Sequence, residues 1–206
     1  MTEEMTSHDL TERLALIETM IAEGRRQTQS WGWTFLLWGI AYCVAIAWTS
    51  WDQPISILGE RILAWPVTMV AGAVLTIVIA TRRKEHHPGT TVGRAISSLW
   101  LAIGVTILLL IPALGLSGRL GPNLFVSIVA ALLGIANGAS ALILRWKAQL
   151  ACAVVWWVTC AAACFCSPAQ LAVTFFSTVF LCQIAFGVYA MTVDWRRRST
   201  NGTVRA

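Results

Sequence analysis

Few residues in this 206-residue chain are of a type that does chemistry. Its three histidines are His8, His86 and His87, the last two adjacent in the charged stretch TRRKEHHPGTTVGR. Such a pair can ligate a metal, but in a charged loop it reads more simply as two solvated rings. The six cysteines are Cys43, Cys152, Cys160, Cys164, Cys166 and Cys182. All lie inside or at the ends of apolar runs, with no His, Asp or Glu near them in sequence. They read as small apolar packing residues, not as a metal site or a secreted disulfide framework. There is no nucleophile motif with a base beside it and no phosphate loop of the GxxxxGKS kind. The expectation is therefore a non-enzyme with no metal and no cofactor.

What remains is polar but neutral, and it sits in apolar surroundings. The stretch ALLGIANGASA holds Gly134 and Gly138, a GxxxG pair, with Asn137 between them and Ser140 beyond. Small residues let helix backbones approach closely, and Asn can hydrogen-bond across the interface. Gln183, with Gly187 and Ala190 on the following turns, carries the same two readings: helix packing, or the lining of a polar path. Packing is the simpler one, and a path needs Asn137 and Gln183 to face one another. Trp38, Trp100, Trp156 and Trp157 also fall in the apolar runs, as gap-fillers between helices or lipid contacts.

The elements that hold these residues follow from composition. The chain is 57% hydrophobic and 12% charged, against roughly 25% charged in a soluble domain. Apolar runs of about 18 residues or more read as membrane spans. Six are expected, at about 31–51, 64–81, 95–116, 122–144, 148–166 and 170–193. The last two have no charge between them. As one helix, 148–193 would run about 69 Å, more than twice the ~30 Å hydrocarbon core. Ser167-Pro168 supplies the turn, because proline disfavours helix in the residue before it and lacks a donor. No Asp, Glu, Lys, Arg or His falls inside any expected span, which argues against ion-coupled transport and intramembrane hydrolysis.

The cations orient the spans. Arg13, Arg25, Arg26, Arg82, Arg83, Lys84, Arg94, Arg145, Lys147, Arg196, Arg197, Arg198 and Arg205 all fall on one side of a six-span arrangement; Arg61 and Arg119 fall on the other. The positive-inside rule then places both termini in the cytoplasm. Trp195 beside Arg196–Arg198 is an interfacial anchor, as are Trp31, Trp33 and Trp146 on that face and Trp48, Trp51 and Trp65 on the other. The net charge of +5 is thus explained by topology, and no nucleic-acid partner is expected. The first 30 residues form a separate region, MTEEMTSHDL being too acidic for a signal peptide. Leu10, Leu14, Ile17 and Ile21 make a short helical stripe from Asp9 to about Arg26, with Gly24 suggesting fraying or a turn. Arg25 and Arg26 suit that helix's own carboxyl end. Residues 194–206 are a basic tail.

Residues 16–40, LIETMIAEGRRQTQSWGWTFLLWGI, carry Ile17, Glu18, Met20, Ile21, Arg25, Arg26, Gly32, Trp33, Leu37, Trp38 and Gly39. This stretch resembles a group of uncharacterised bacterial multi-pass membrane proteins with an Ile-Glu-x-Met-Ile helix ahead of a Gly-Trp and Leu-Trp-Gly span. The resemblance covers about an eighth of the chain. It implies an inner-membrane helical protein of unassigned activity and supplies no catalytic residue. The expectation is an all-α, polytopic six-helix bundle preceded by an amphipathic helix. It would act as a regulatory, sensory or accessory interaction subunit in the inner (plasma) membrane. Its partners would be the lipid bilayer and a homo-oligomeric copy or cytoplasmic protein bound through residues 9–26. The alternative is an oligomeric transporter or channel for a small solute.

Overall fold

The structure is a computed structural model that describes residues 2–50, 58–82 and 91–203. It is all helix, with no strand among the described residues. The helices are α1 (Thr2–Ser30), α2 (Gly32–Ser50), α3 (Leu58–Arg82), α4 (Thr91–Leu116), α5 (Pro122–Leu144), α6 (Lys147–Ala163), α7 (Pro168–Val179) and α8 (Phe186–Thr203). A π-helical stretch, Phe180–Ala185, joins α7 to α8 without a break.

Four stretches are long and apolar enough to cross a membrane: Ala64–Arg82, Thr91–Leu116, Pro122–Leu144 and Pro168–Arg197. Leu10–Ser30 and Gly32–Trp48, bent by 42° at Trp31, make a fifth if they are taken as one broken span. This is the character of a multi-pass membrane protein. The expected count of six is larger, and α6 accounts for part of the difference. It has 17 residues, or about 25 Å at 1.5 Å per residue, short of the ~30 Å core. It ends at Ala163, where the sequence suggested about 166, and the chain turns through Cys164–Ser167. The turn falls where Ser167-Pro168 placed it. Pro168 opens α7, and the Ser167 backbone N–H donates to the Gln170 side-chain oxygen at 3.0 Å, closing the first turn of the helix.

α5 is the hub: 61% of its apolar window is buried, against 6% for α4. Leu101, Leu108 and Leu109 of α4 are more than half exposed, as suits side chains that meet lipid. Aromatic rings fill much of the centre. Trp65 meets Phe125 edge-on at 4.6 Å, and Tyr42, Phe125 and Trp156 each approach Phe175 at 6.2–6.4 Å. Trp146 lies 5.0 Å from Phe186. This corrects part of the interfacial belt: Trp33 and Trp146 are buried in the core and Trp65 packs against it. Trp31, Trp48 and Trp195 are exposed.

A glycine seam holds α2 against α8 and the π-helical stretch before it. A Cβ on Gly187 would lie 2.9 Å from the Leu36 nitrogen and 3.0 Å from the Gly32 oxygen. One on Gly39 would meet Ile184 at 2.8 Å. Gly32 and Gly39 are seven apart and so share a helix face. In the sequence this spacing is interleaved with Trp31, Trp33 and Trp38.

α1 also differs from expectation. It runs on to Ser30, and Gly24 lies within the helix, where it neither frays nor turns. A Cβ there would be 2.8 Å from Val92 and 3.1 Å from Leu144, so the glycine lets α1 close onto α4 and α5. At the other end, α8 carries residues 194–203 as a continuous helix.

Candidate functional site

The antiparallel α5–α6 pair contains Gly134, Asn137 and Gly138 on one helix and Trp156 and Trp157 on the other. The turn between them uses Arg145 in the left-handed region (φ 50°). There the Trp146 N–H donates to Ala141 O at 2.9 Å, the kind of bond that satisfies carbonyls at a helix end. Gly134 and Gly138 face α6, and the groove between them takes the Trp157 indole. A Cβ on Gly134 would be 2.5 Å from Trp157 Cδ1, and one on Gly138 would be 2.8 Å from Cζ2 and Cη2. The GxxxG pair is thus filled from within the chain, by a ring and not by a bare backbone. The remaining face of Trp157 is outward, leaving it 42% exposed.

Asn137 points elsewhere. It is completely buried, and its amide nitrogen donates to Leu133 O of its own helix at 2.8 Å, while its Oδ1 has no partner. Gln183 is buried in the π-helical stretch, on the side that approaches Gly39 of α2. No hydrogen bond joins Asn137 to Gln183. Neighbouring polar groups do pair: Trp100 Nε1 donates to Ser140 Oγ at 3.2 Å, and the Thr159 and Thr178 hydroxyls share a bond of 2.7 Å. Gln149 stands two residues after Lys147, a place in the sequence where a polar side chain has the pattern of an interfacial one. It is fully buried, and neither of its amide atoms has a protein partner. The Trp156 indole nitrogen is in the same position.

The side chains of Asn123 and Arg25 close the ends of this pair. The last four carbonyls of a helix have no partner within it. Asn123 at the start of α5 donates to Ala163 O at 2.7 Å and Cys166 O at 2.9 Å, which finishes α6. Arg25 of α1 donates to Leu144 O through Nε at 3.2 Å and Nη2 at 2.7 Å, and through Nη2 to Arg145 O. Its cation therefore serves the carboxyl end of α5, not that of α1, which continues for five more residues. The favourable charge–dipole sense is the one expected, applied to a different helix.

The topology anchors divide. Arg82 is exposed at the end of α3, and Trp195, Arg196 and Arg197 are exposed within α8. Arg83, Lys84, Trp51, His86 and His87 lie outside the described residues, as does the side chain of Arg198. Cys164 is exposed beside Ser127, and Cys182 Sγ approaches Cys152 O at 3.6 Å. All six cysteines are free, and no group of three or more His, Cys, Asp or Glu gathers among the described residues. No family model, curated protein or solved structure matches the chain.

The last feature is the amino-terminal half of α1. Residues 10–19 are all exposed, and Leu10, Leu14, Leu16 and Ile17 are each more than half exposed. Ile17 and Gly24 are seven apart, as are Ile21 and Thr28, so the stripe continues the helix face that Gly24 docks onto Val92 and Leu144. One face of one helix is covered by the bundle at its foot and bare at its far end.

Proposed function

We propose that this protein is a membrane-embedded interaction subunit, regulatory or accessory in role and not an enzyme, whose docking element is the projecting half of α1. The observation that carries this reading is the uncovered stripe Leu10-Leu14-Ile17 on the same face that packs the bundle lower down. A soluble helix end without a partner has no reason to hold three large apolar residues in register. The charges between residues 10 and 23 are Glu12, Arg13, Glu18 and Glu23, a net negative surround. The partner that fits is a helix with an apolar face and basic flanks, lying over the ends of α4 and α5.

The test is a photo-crosslinking amino acid at Leu14 in native membranes. A discrete adduct with a second protein is expected, lost in the L14E/I17E variant and absent with the probe at lipid-facing Leu101. L14E/I17E should leave bundle stability within about 0.5 kcal/mol, since it changes exposed positions. Adducts with lipid alone, or with the chain itself, would count against the reading.

The same proposal includes the topology. All six apolar helices cross, both termini are cytoplasmic in an inner (plasma) membrane, and the bilayer thins locally around short α6. The excess of basic residues on one side supports this. A carboxyl-terminal reporter accessible only from outside the cell is the result that would sink it. The second reading, passage of a small solute through an oligomer, draws on the unpartnered buried atoms of Asn137, Gln149 and Trp156. Solute flux in proteoliposomes would favour it.

A further inference from the structure

Asn137 Oδ1, both amide atoms of Gln149 and the Trp156 indole nitrogen are completely buried and have no protein partner. Buried polar groups in native proteins are hydrogen-bonded almost without exception, and each exception calls for an explanation. Inside a membrane domain the demand is stronger, because lipid offers no substitute partner.

The register spreads these groups over about two turns of the bundle. Gly138 stands opposite Ala153, its Cβ position 3.6 Å from that of Ala153, and Gly134 stands opposite Trp157. Asn137 is therefore level with about residue 154 on α6. Trp156 lies two residues beyond, about 3 Å along the axis, and Gln149 five residues the other way, about 7.5 Å. On α6, Gln149 and Trp156 are two turns apart and share a face with Cys152, Thr159 and Ala163, all buried. That face meets the last transmembrane helix: Cys182 reaches Cys152, and Thr178 reaches Thr159. The π-helical stretch Phe180–Ala185 begins between these two contacts and contains Cys182. Such stretches are rare and concentrate at functional sites.

We infer that Asn137, Gln149 and Trp156 line a buried polar stretch that takes up small, neutral guests able both to donate and to accept hydrogen bonds. The donor–acceptor pattern sets the class. Asn137 Oδ1 needs a donor, Trp156 Nε1–H needs an acceptor, and the Gln149 amide needs both. No charged side chain lies on the face of α6 that carries Gln149, Cys152, Trp156, Thr159 and Ala163, so an ion is excluded by desolvation. Water and small amides or alcohols share the required chemistry. The site stands independently of the α1 docking reading, because it involves no residue of α1.

The experiment is nuclear magnetic resonance on the full chain in micelles with ¹⁵N-labelled tryptophan, the Trp156 indole signal being assigned through W156F. A cross-peak between the Trp156 indole proton and water, unshifted by acetamide, identifies water as the guest. A saturable shift of that signal on titration with acetamide identifies a solute site. Should W156F fail to fold, the Gln149 side-chain amide, assigned through Q149M, reports in the same way. Q149M is expected to weaken whichever signal is found several-fold and to lower the melting temperature. The absence of both a water cross-peak and an acetamide shift would overturn the inference. So would a Q149M protein that melts higher, because that is how a partnerless amide in a dry core behaves when it is replaced.

Discussion

Gly134→Leu is expected to force α5 and α6 apart and to lower stability by about 3 kcal/mol or more, since overpacking a well-filled interface costs about 1–3 kcal/mol. A Cβ alone at 134 would sit 2.5 Å from Trp157 Cδ1 and 2.6 Å from Nε1. The indole is rigid and cannot shorten, so it must swing out of the groove or the helices must separate. Neither route is cheap, because α5 is the most buried helix and α6 packs along its length. Gly134→Ala should show the same effect at about 1 kcal/mol. Reversible unfolding in mixed micelles gives the measurement. The mechanism has its own check: in a Trp157→Ala background the clash is gone, so Gly134→Leu should be far better tolerated. A double-mutant cycle with no coupling between the two sites would show that Trp157 does not fill the groove.

Arg25→Ala is expected to destabilise the α1–α5 junction by about 2–4 kcal/mol, from hydrogen bonds to a charged donor at about 1.5–3 kcal/mol and a helix-end charge term of about 0.3–1. Leu144 is completely buried, and its carbonyl takes both Nε and Nη2 of Arg25. Without the guanidinium that oxygen stands at a helix end with no internal partner. Arg25→Lys keeps the charge but not the fork that spans Leu144 and Arg145, so it should recover only part of the loss. Hydrogen exchange read by mass spectrometry should show faster opening of residues 21–30 and of the last turn of α5. Unchanged exchange in both segments would mean that Arg25 is solvated and that α1 is held by other contacts. The same variant bears on the docking reading, because exposed residues 10–19 continue a helix that packs onto the bundle at Gly24.

Part of this molecule was legible in its order of residues, and the reason is periodicity against a uniform solvent. A bilayer asks one question of every stretch, whether it is apolar over enough length, and that question has a local answer. The apolar helices, the break at Ser167-Pro168 and the apolar stripe of α1 all follow from it. So does the use of Gly134 and Gly138 as a close-approach surface, since glycine four apart has few other uses in an apolar helix.

What folding alone decided is which group meets which. Nothing local says that Gly134 and Gly138 receive Trp157, that Gly24 is a contact and not a break, or that Arg25 closes a helix 119 residues away. The number of helices long enough to span also came out below six, in part because α6 ends at Ala163, whose carbonyl Asn123 caps. Gln149 looked interfacial beside Lys147 and is buried. Hydrogen bonds and close packing are pairwise and short-ranged, so they are settled by the neighbours that the fold supplies, whereas hydrophobic length is a property that each segment carries by itself.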